Sequence, residues 1–269
     1  MDIGKNKTKQ RPLKSIPTPP KRSIGCEGLD ALLGGIPADR AVLVVGGPGT
    51  GKTTLGVQFL LEGAATDEHG LHILLEESPH SLIRRFDFLH WRGKEKITYH
   101  KILKAGKITI LDLLSARIGY REQYDLPNII CPPIFRLGDV LGSIYDTVRD
   151  HDIKRIVIDS LQSFFLIAER EVVQLREVLL AILEPYRRVN VGFLATSEQS
   201  TTKEMDNLLF AEHVFDGVIS LTKDLAENQS IRLLRVEKAL WKAHDFRPHQ
   251  FSISSSGIEV LGPIGTTPP

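Results

Sequence analysis

Between residues 23 and 262, runs of consecutive apolar residues alternate with stretches whose apolar positions recur every three or four residues. An unbroken apolar run suits a strand buried on both faces, and the longer repeat suits a helix with one buried face. Ala41–Val45 therefore reads as a buried strand, and Lys52 to about Ala65 as the helix after it. Further strands are expected at Leu71–Leu75, Ile108–Leu111, Arg155–Ile158 and Val191–Ala195. Further helices are expected at about Ser81–His90, Leu137–Asp150 and Glu171–Arg188. The last of these has Val172, Leu175, Val178, Leu179, Ile182 and Leu183 at helical spacing, a stripe read as core. Ser115–Phe135 has weak periodicity and three prolines and reads as an irregular insertion. Past residue 213 the pattern turns to strands, at Val214–Leu221, Ile231–Val236 and Phe251–Ile253. The fold class is α/β: a central, mostly parallel sheet flanked by helices, with antiparallel strands at the C-terminal end.

Composition narrows the class. The chain has 269 residues, 42% hydrophobic and 25% charged, enough for a sizeable core. No apolar run approaches the roughly 18 residues of a membrane span, and the first thirty residues lack the apolar segment of a signal peptide. Cys26 and Cys131 make no disulfide framework and have no metal-ligand spacing, so free thiols in a reducing cytoplasm are expected. Residues 1–22 hold seven Lys or Arg against Asp2, whereas the remainder has 27 basic and 32 acidic residues. The organisation expected is a basic tail (1–22), one domain (23–262) and a short C-terminal tail (263–269). The basic tail reads either as a solvated disordered segment or as a weak contact for nucleic acid or an anionic surface.

Gly46-Gly47-Pro48-Gly49-Thr50-Gly51-Lys52-Thr53 fits G-x-x-x-x-G-K-[ST] at every fixed position, between a buried strand and a helix. Glycines let backbone N–H groups wrap closely around a polyphosphate, and the helix points its positive end at the same place. The ligand expected is a nucleotide polyphosphate with Mg²⁺, held by Gly47, Pro48, Gly49, Thr50, Gly51, Lys52, Thr53 and Thr54. Lys52 would reach the β- and γ-phosphates and the Thr53 hydroxyl would ligate Mg²⁺. Ile156-Val157-Ile158-Asp159 is an apolar strand ending in a carboxylate, so Asp159 is the second candidate for the metal. Glu76 and Glu77 end the second strand and are candidates to orient an attacking water. Adjacent strand residues face opposite ways, so a regular strand would turn only one of them to the nucleotide.

The run Ser23–Pro37 ahead of the P-loop strand resembles the lead-in segment of RecA-superfamily ATPases. The KaiC-like branch is the closer resemblance, carried by Glu76-Glu77-Ser78-Pro79, Ile158-Asp159-Ser160 and Lys238-Ala239-Leu240-Trp241-Lys242-Ala243-His244. It spans about residues 23–262 and implies a RecA-like P-loop NTPase core in a single copy. It also implies an ATPase whose paired glutamates activate the lytic water, Glu76 being the preferred base, and a ring, usually a hexamer, with ATP between subunits. By the same resemblance Lys238 would reach the γ-phosphate held by the neighbouring subunit. His244, Ser254 and Ser255 would lie near the base and ribose of that nucleotide. Two departures stand out: Leu240 replaces the arginine beside the trans lysine, and Glu212 and His213 replace the autophosphorylated hydroxyl pair. A trans arginine is worth about 10³–10⁵ in phosphoryl-transfer rate, so slow turnover is expected unless Lys242 or another cation substitutes.

The leading expectation is a slow, ring-forming ATPase acting as a nucleotide switch on a signalling partner. The first alternative is a DNA-dependent ATPase of the RecA or RadA type. The segment Ser197–Asp216 counts against it, with Glu198, Glu204, Asp206, Glu212 and Asp216 against Lys203, the wrong sign for phosphate contacts. The second alternative is a scaffold that binds ATP without turning it over.

Overall fold

The computed structural model describes residues 18–87, 89–90, 98–120, 124–133, 136–162, 164, 175–199, 211–226 and 229–264. In chain order the first half holds β1 (Lys21–Arg22), α1 (Glu27–Leu33), β2 (Ile36–Pro37), β3 (Ala41–Gly46), α2 (Lys52–Ala65), β4 (His69–Leu74), α3 (Pro79–Phe86), α4 (Tyr99–Lys104), β5 (Ile108–Asp112) and α5 (Leu113–Ile118). The second half holds β6 (Ile129–Ile130), α6 (Leu137–Asp150), β7 (Ile153–Asp159), α7 (Leu175–Arg187), β8 (Gly192–Glu198), β9 (Gly217–Ala226), β10 (Gln229–Ala239), β11 (His249–Ser254) and β12 (Gly257–Pro263). Among the described residues, ten strands form one sheet in the order β12-β11-β10-β9-β3-β8-β7-β4-β5-β6, and β1 pairs with β2 apart from it.

The sheet is parallel from β9 through β3, β8, β7, β4 and β5 to β6, and antiparallel from β9 outward to β12. Every residue of β3 is buried, as its unbroken apolar run requires of a strand covered on both sides. One apolar layer joins Leu43, Ile73 and Ile158 to Val140 and Ile144 of α6 and to Val178, Leu179, Ile182 and Leu183 of α7. The opposite layer joins Val42, Val44 and Val157 to Leu29 of α1, Leu55 and Phe59 of α2, and Leu103 of α4. The expected stripe on α7 is thus core at four positions; Val172 lies outside the described residues.

The lead-in segment is held by Asp30. Its carboxylate accepts from Ser23 Oγ (2.6 Å), Ile24 N (2.7 Å) and Gly25 N (3.1 Å), while burial pushes its pKa up. Elsewhere the structure departs from the periodic reading where elements are short. The helix expected from Ser81 begins at Pro79, because Ser78 Oγ accepts from Ser81 N (3.3 Å) and proline suits a first turn. The segment read as irregular contains β6 and most of α5, which begins two residues earlier at Leu113. Asp112 caps α5 by accepting from Ser115 N (3.0 Å) and also receives the Tyr124 hydroxyl (2.6 Å). Six residues are too few for a periodic signal to emerge, so α4 and α5 escape the pattern. β12 reaches Pro263, one residue past the expected domain limit.

A buried histidine makes the fold acid-sensitive. His72 on β4 is fully buried, with Nδ1 2.9 Å from the Tyr99 hydroxyl and no partner for Nε2 among the described residues. Burial pushes its pKa down to about 4; the Asp159 charge pushes it back up and Arg85 adds to the fall. An unfolded histidine titrates near 6.5, so between about 6.5 and 4 the unfolded chain binds the extra proton and the folded chain does not. Stability should therefore fall as pH drops through that window, by on the order of 3 kcal/mol. Urea midpoints from pH 7 to 4 check this: His72→Leu should flatten the slope, and equal slopes in both proteins would refute the assignment.

Candidate nucleotide site

The parallel register sets the site. Gly46 at the end of β3 pairs with Glu198 at the end of β8, and Leu74 at the end of β4 pairs with Asp159 at the end of β7. The ladder runs on past β4, because Leu75 N donates to Asp159 O (3.0 Å). The P-loop, Asp159 and Glu76 thus emerge together at the carboxyl edge of the sheet, where open α/β sheets bind ligands.

Within the P-loop, Thr50 is buried and its hydroxyl donates to Gly47 O (2.9 Å). Gly51 has φ 114°, and a Cβ there would stand 2.9 Å from Ile253 Cδ1. Only glycine allows both that backbone and the close approach of the β11–β12 hairpin. Thr53 and Thr54 follow in the first turn of α2, half-buried. Lys52 Nζ donates to Gly46 O (2.7 Å) and Gly47 O (3.0 Å). Burial pushes its pKa down, and the charges of Glu198, Asp159 and Glu76 push it back up. One ammonium therefore sits in the field of three carboxylates at the carboxyl edge.

The two glutamates part company. Ser160 Oγ donates toward Glu76 Oε1 (2.5 Å), which turns Glu76 toward the end of β7. Glu77 instead grips α3, accepting from Ser81 Oγ (2.7 Å) and pairing with Arg85. Asp159 accepts from Thr196 Oγ1 on β8 (2.5 Å). An aliphatic hydroxyl at Thr53 and a carboxylate at Asp159 are hard oxygen donors, the donor set Mg²⁺ takes.

The remaining expected residues divide between the two ends of β10. Lys238 pairs in register with Val218, and Val218 with Leu43, three residues below Gly46. That puts Lys238 two strands to the side and about 10 Å below the level of the P-loop, toward the amino end of β3, at about 3.3 Å per residue. Its ammonium donates to Phe215 O (2.7 Å), Glu212 O (3.0 Å) and His213 O (3.4 Å). His244 lies at the same end, with Nδ1 3.2 Å from Lys242 O and its ring 4.5 Å from that of Phe246. Lys242 donates to Ala31 O (2.9 Å) on α1, and Leu240 is exposed. Ser254 and Ser255 sit at the other end, in the hairpin whose Ile253 meets Gly51 of the same chain. The reversal between antiparallel β10 and β11 separates these residues, so the serine pair adjoins its own P-loop rather than sharing an end with Lys238. Residues 200–210 of the acidic segment lie outside the described residues.

Several contacts were missed. Lys223 on β9 donates to Pro48 O (3.1 Å) at the tip of the P-loop. Gln162 bridges Ser160 to Ser197 and Glu198. Ser160 stands inside the Ile158-Asp159-Ser160 block, which was the one available signal; no spacing rule points to Lys223 or Gln162.

This sheet order, with a glycine-rich loop after its central strand and an acidic strand end beside it, is that of a RecA-type P-loop ATPase domain. The chain belongs to the KaiC ATPase family, whose sequence profile matches residues 22–264. It is 33% identical over 243 residues to a UPF0273 protein of Sulfurisphaera tokodaii, covering 87% of this chain and 79% of that one. A UPF0273 protein of Thermotoga maritima is 31% identical over 244 residues, covering 88% and 93%. The crystal structure of the KaiC-like protein PH0186 from Pyrococcus horikoshii superposes with a TM-score of 0.71 at 29% identity, covering 91% of this chain and 100% of that one. Family membership implies nucleotide binding. No helix among the described residues is long and apolar enough to cross a membrane, and they contain no group of three His, Cys, Asp or Glu able to hold a metal.

Lys238 has a measurable structural role whatever it does across an interface. Lys238→Ala strips three carbonyls of their donor and should cost about 1–2 kcal/mol. Urea denaturation checks this, and an unchanged midpoint would refute the capping role.

Proposed function

We propose that this chain binds Mg²⁺-ATP and hydrolyses it slowly, as a ring-forming switch whose shape follows the state of its nucleotide. The observation that carries the reading is the convergence on Lys52 of Asp159 and Glu76, with Glu76 turned toward β7 and Glu77 turned away. Backbone N–H groups of Gly47, Gly49, Thr50 and Gly51 cradle the phosphates, and Lys52 leaves its carbonyl partners to neutralise the β- and γ-phosphates. Thr53 and Asp159 would hold Mg²⁺, which when bound supplies positive charge beside the transferring phosphoryl group. Glu76 orients a water in line with the γ-phosphorus and takes its proton as the new P–O bond forms and the bond to the β-phosphate oxygen breaks. Glu77 holds α3 against the end of β4, so that Glu76 projects from a fixed backbone. Ser254 and Ser255 contact the base or ribose of their own chain's ATP, while Lys238 and His244 belong to the face that meets the next subunit, a hexameric ring being the expected assembly.

The competing reading, an ATP-binding scaffold without turnover, draws support from Leu240 and from Lys238 being tied to three carbonyls. Phosphate release on prolonged incubation with Mg²⁺-ATP separates the two. In the hydrolytic reading Lys52→Ala abolishes nucleotide binding. Glu76→Gln binds ATP but releases phosphate about 10²-fold more slowly, whereas Glu77→Gln stays within about tenfold of the parent. Equal rates for Glu76→Gln and the parent would overturn the assignment of the base. Solution mass with Mg²⁺ and a non-hydrolysable ATP analogue tests the ring: a hexamer-sized particle supports it, and a monomer with and without nucleotide removes the trans roles of Lys238 and His244.

A further inference from the structure

Ser160 Oγ lies 2.5 Å from Glu76 Oε1 and 2.7 Å from Gln162 Oε1. Both neighbours are acceptors, and a serine hydroxyl carries one proton, so it donates to one of them at a time. The Gln162 amide is orientated by its other contacts. Its Nε2 donates to Ser197 Oγ (3.0 Å) and to Glu198 O (3.2 Å), and a backbone carbonyl only accepts, so Oε1 is the atom left facing Ser160. Ser160 and Ser197 are both buried, so neither hydroxyl faces bulk solvent. The far end of this chain reaches the P-loop, because Gln199 N donates to Gly46 O (3.3 Å).

We propose that Ser160 and Gln162 are positioning residues for Glu76, the Ser160 hydroxyl alternating between the carboxylate and the Gln162 amide oxygen. This rests on the hydrolytic reading above. With the hydroxyl turned to Glu76, the carboxylate is held still but Oε1 is occupied. With the hydroxyl turned to Gln162, Oε1 is released to accept from water. The proton stays on Ser160 Oγ in both positions and no covalent bond changes. Gln162 is fastened to the end of β8, and β8 to the P-loop, so a shift of the P-loop around phosphates moves the acceptor that competes with Glu76.

The test uses the full chain, with kcat and KM for Mg²⁺-ATP, the Kd for a non-hydrolysable ATP analogue and the Tm measured for each variant. Ser160→Ala should lower kcat about tenfold with KM and Kd unchanged, since it acts on the attacking water and not on binding. Ser160→Thr keeps a hydroxyl and should recover most of the rate. Gln162→Leu, at a half-buried position, should lower kcat severalfold on its own. The double variant Ser160→Ala, Gln162→Leu should be no slower than Ser160→Ala alone, because Gln162 acts through Ser160. Losses that multiply in the double variant, a kcat within twofold of the parent for Ser160→Ala, or a fall in kcat matched by a rise in KM and a drop in Tm would each overturn the positioning role while leaving hydrolysis standing. A parent that releases no phosphate overturns the hydrolytic reading, and the positioning role with it.

Discussion

The parallel hydrogen bonding of β3, β8, β7 and β4 is the constraint on which the rest of this structure depends. Each strand ends at nearly the same level, and each hands over a different chemical group there. β3 yields to the glycine-rich loop, β7 ends in Asp159, β4 leads to Glu76, and β8 ends in Glu198. A slip of one residue in any pairing would move every side chain of that strand to the opposite layer and shift its terminal group relative to the P-loop, because side chains alternate across a strand. Apolar layers on both faces penalise such a slip, so core packing and site geometry are one requirement.

The opposite edge of the sheet is locked by charge. Arg155 is buried and bonded to Glu68 (2.6 Å) and to the carbonyls of Ser23 (2.6 Å) and Phe59 (2.9 Å), and Arg22 shares the same glutamate (2.9 Å). Asp216 receives Arg40 (3.0 Å), Arg187 (2.7 Å) and Ala41 N (3.0 Å). Buried ion pairs with their hydrogen bonds met contribute more to register than to net stability, and losing one partner is costly. Both clusters tie the amino ends of parallel strands to lead-in segments and helices. The carboxyl edge is thereby left to carry Lys52 among the carboxylates of Glu198, Asp159 and Glu76.

The β9–β12 extension has two ends with different surroundings. Lys223 and the β11–β12 hairpin lie against the P-loop of their own chain, while Lys238, Leu240, Lys242 and His244 gather at the far end of β10. A single antiparallel ribbon therefore joins a surface beside the P-loop to one at the level of Leu43, three residues lower on β3. The exposed Leu240 and Phe246 at the far end make that surface partly apolar.

Much of this was legible in the linear sequence, for a definite reason. Central parallel strands are buried on both faces, so Ala41–Val45 and Ile156–Ile158 show up as unbroken apolar runs, and a phosphate loop needs glycines at fixed spacing. The fold class, the P-loop and Asp159 follow from those local rules, whereas the glutamate pair stands out through its place at a strand end together with the family resemblance. Tertiary structure alone decided which glutamate turns to the site, because that depends on Ser160, 84 residues from Glu76, and on Ser81 and Arg85 of α3. It also decided that Ser254 and Lys238 occupy opposite ends of the ribbon, and that Lys223 and Gln162 belong to the site at all. These are contacts between side chains far apart in sequence at strand ends, where periodicity stops and direction is set by whichever partner the fold brings within hydrogen-bond reach.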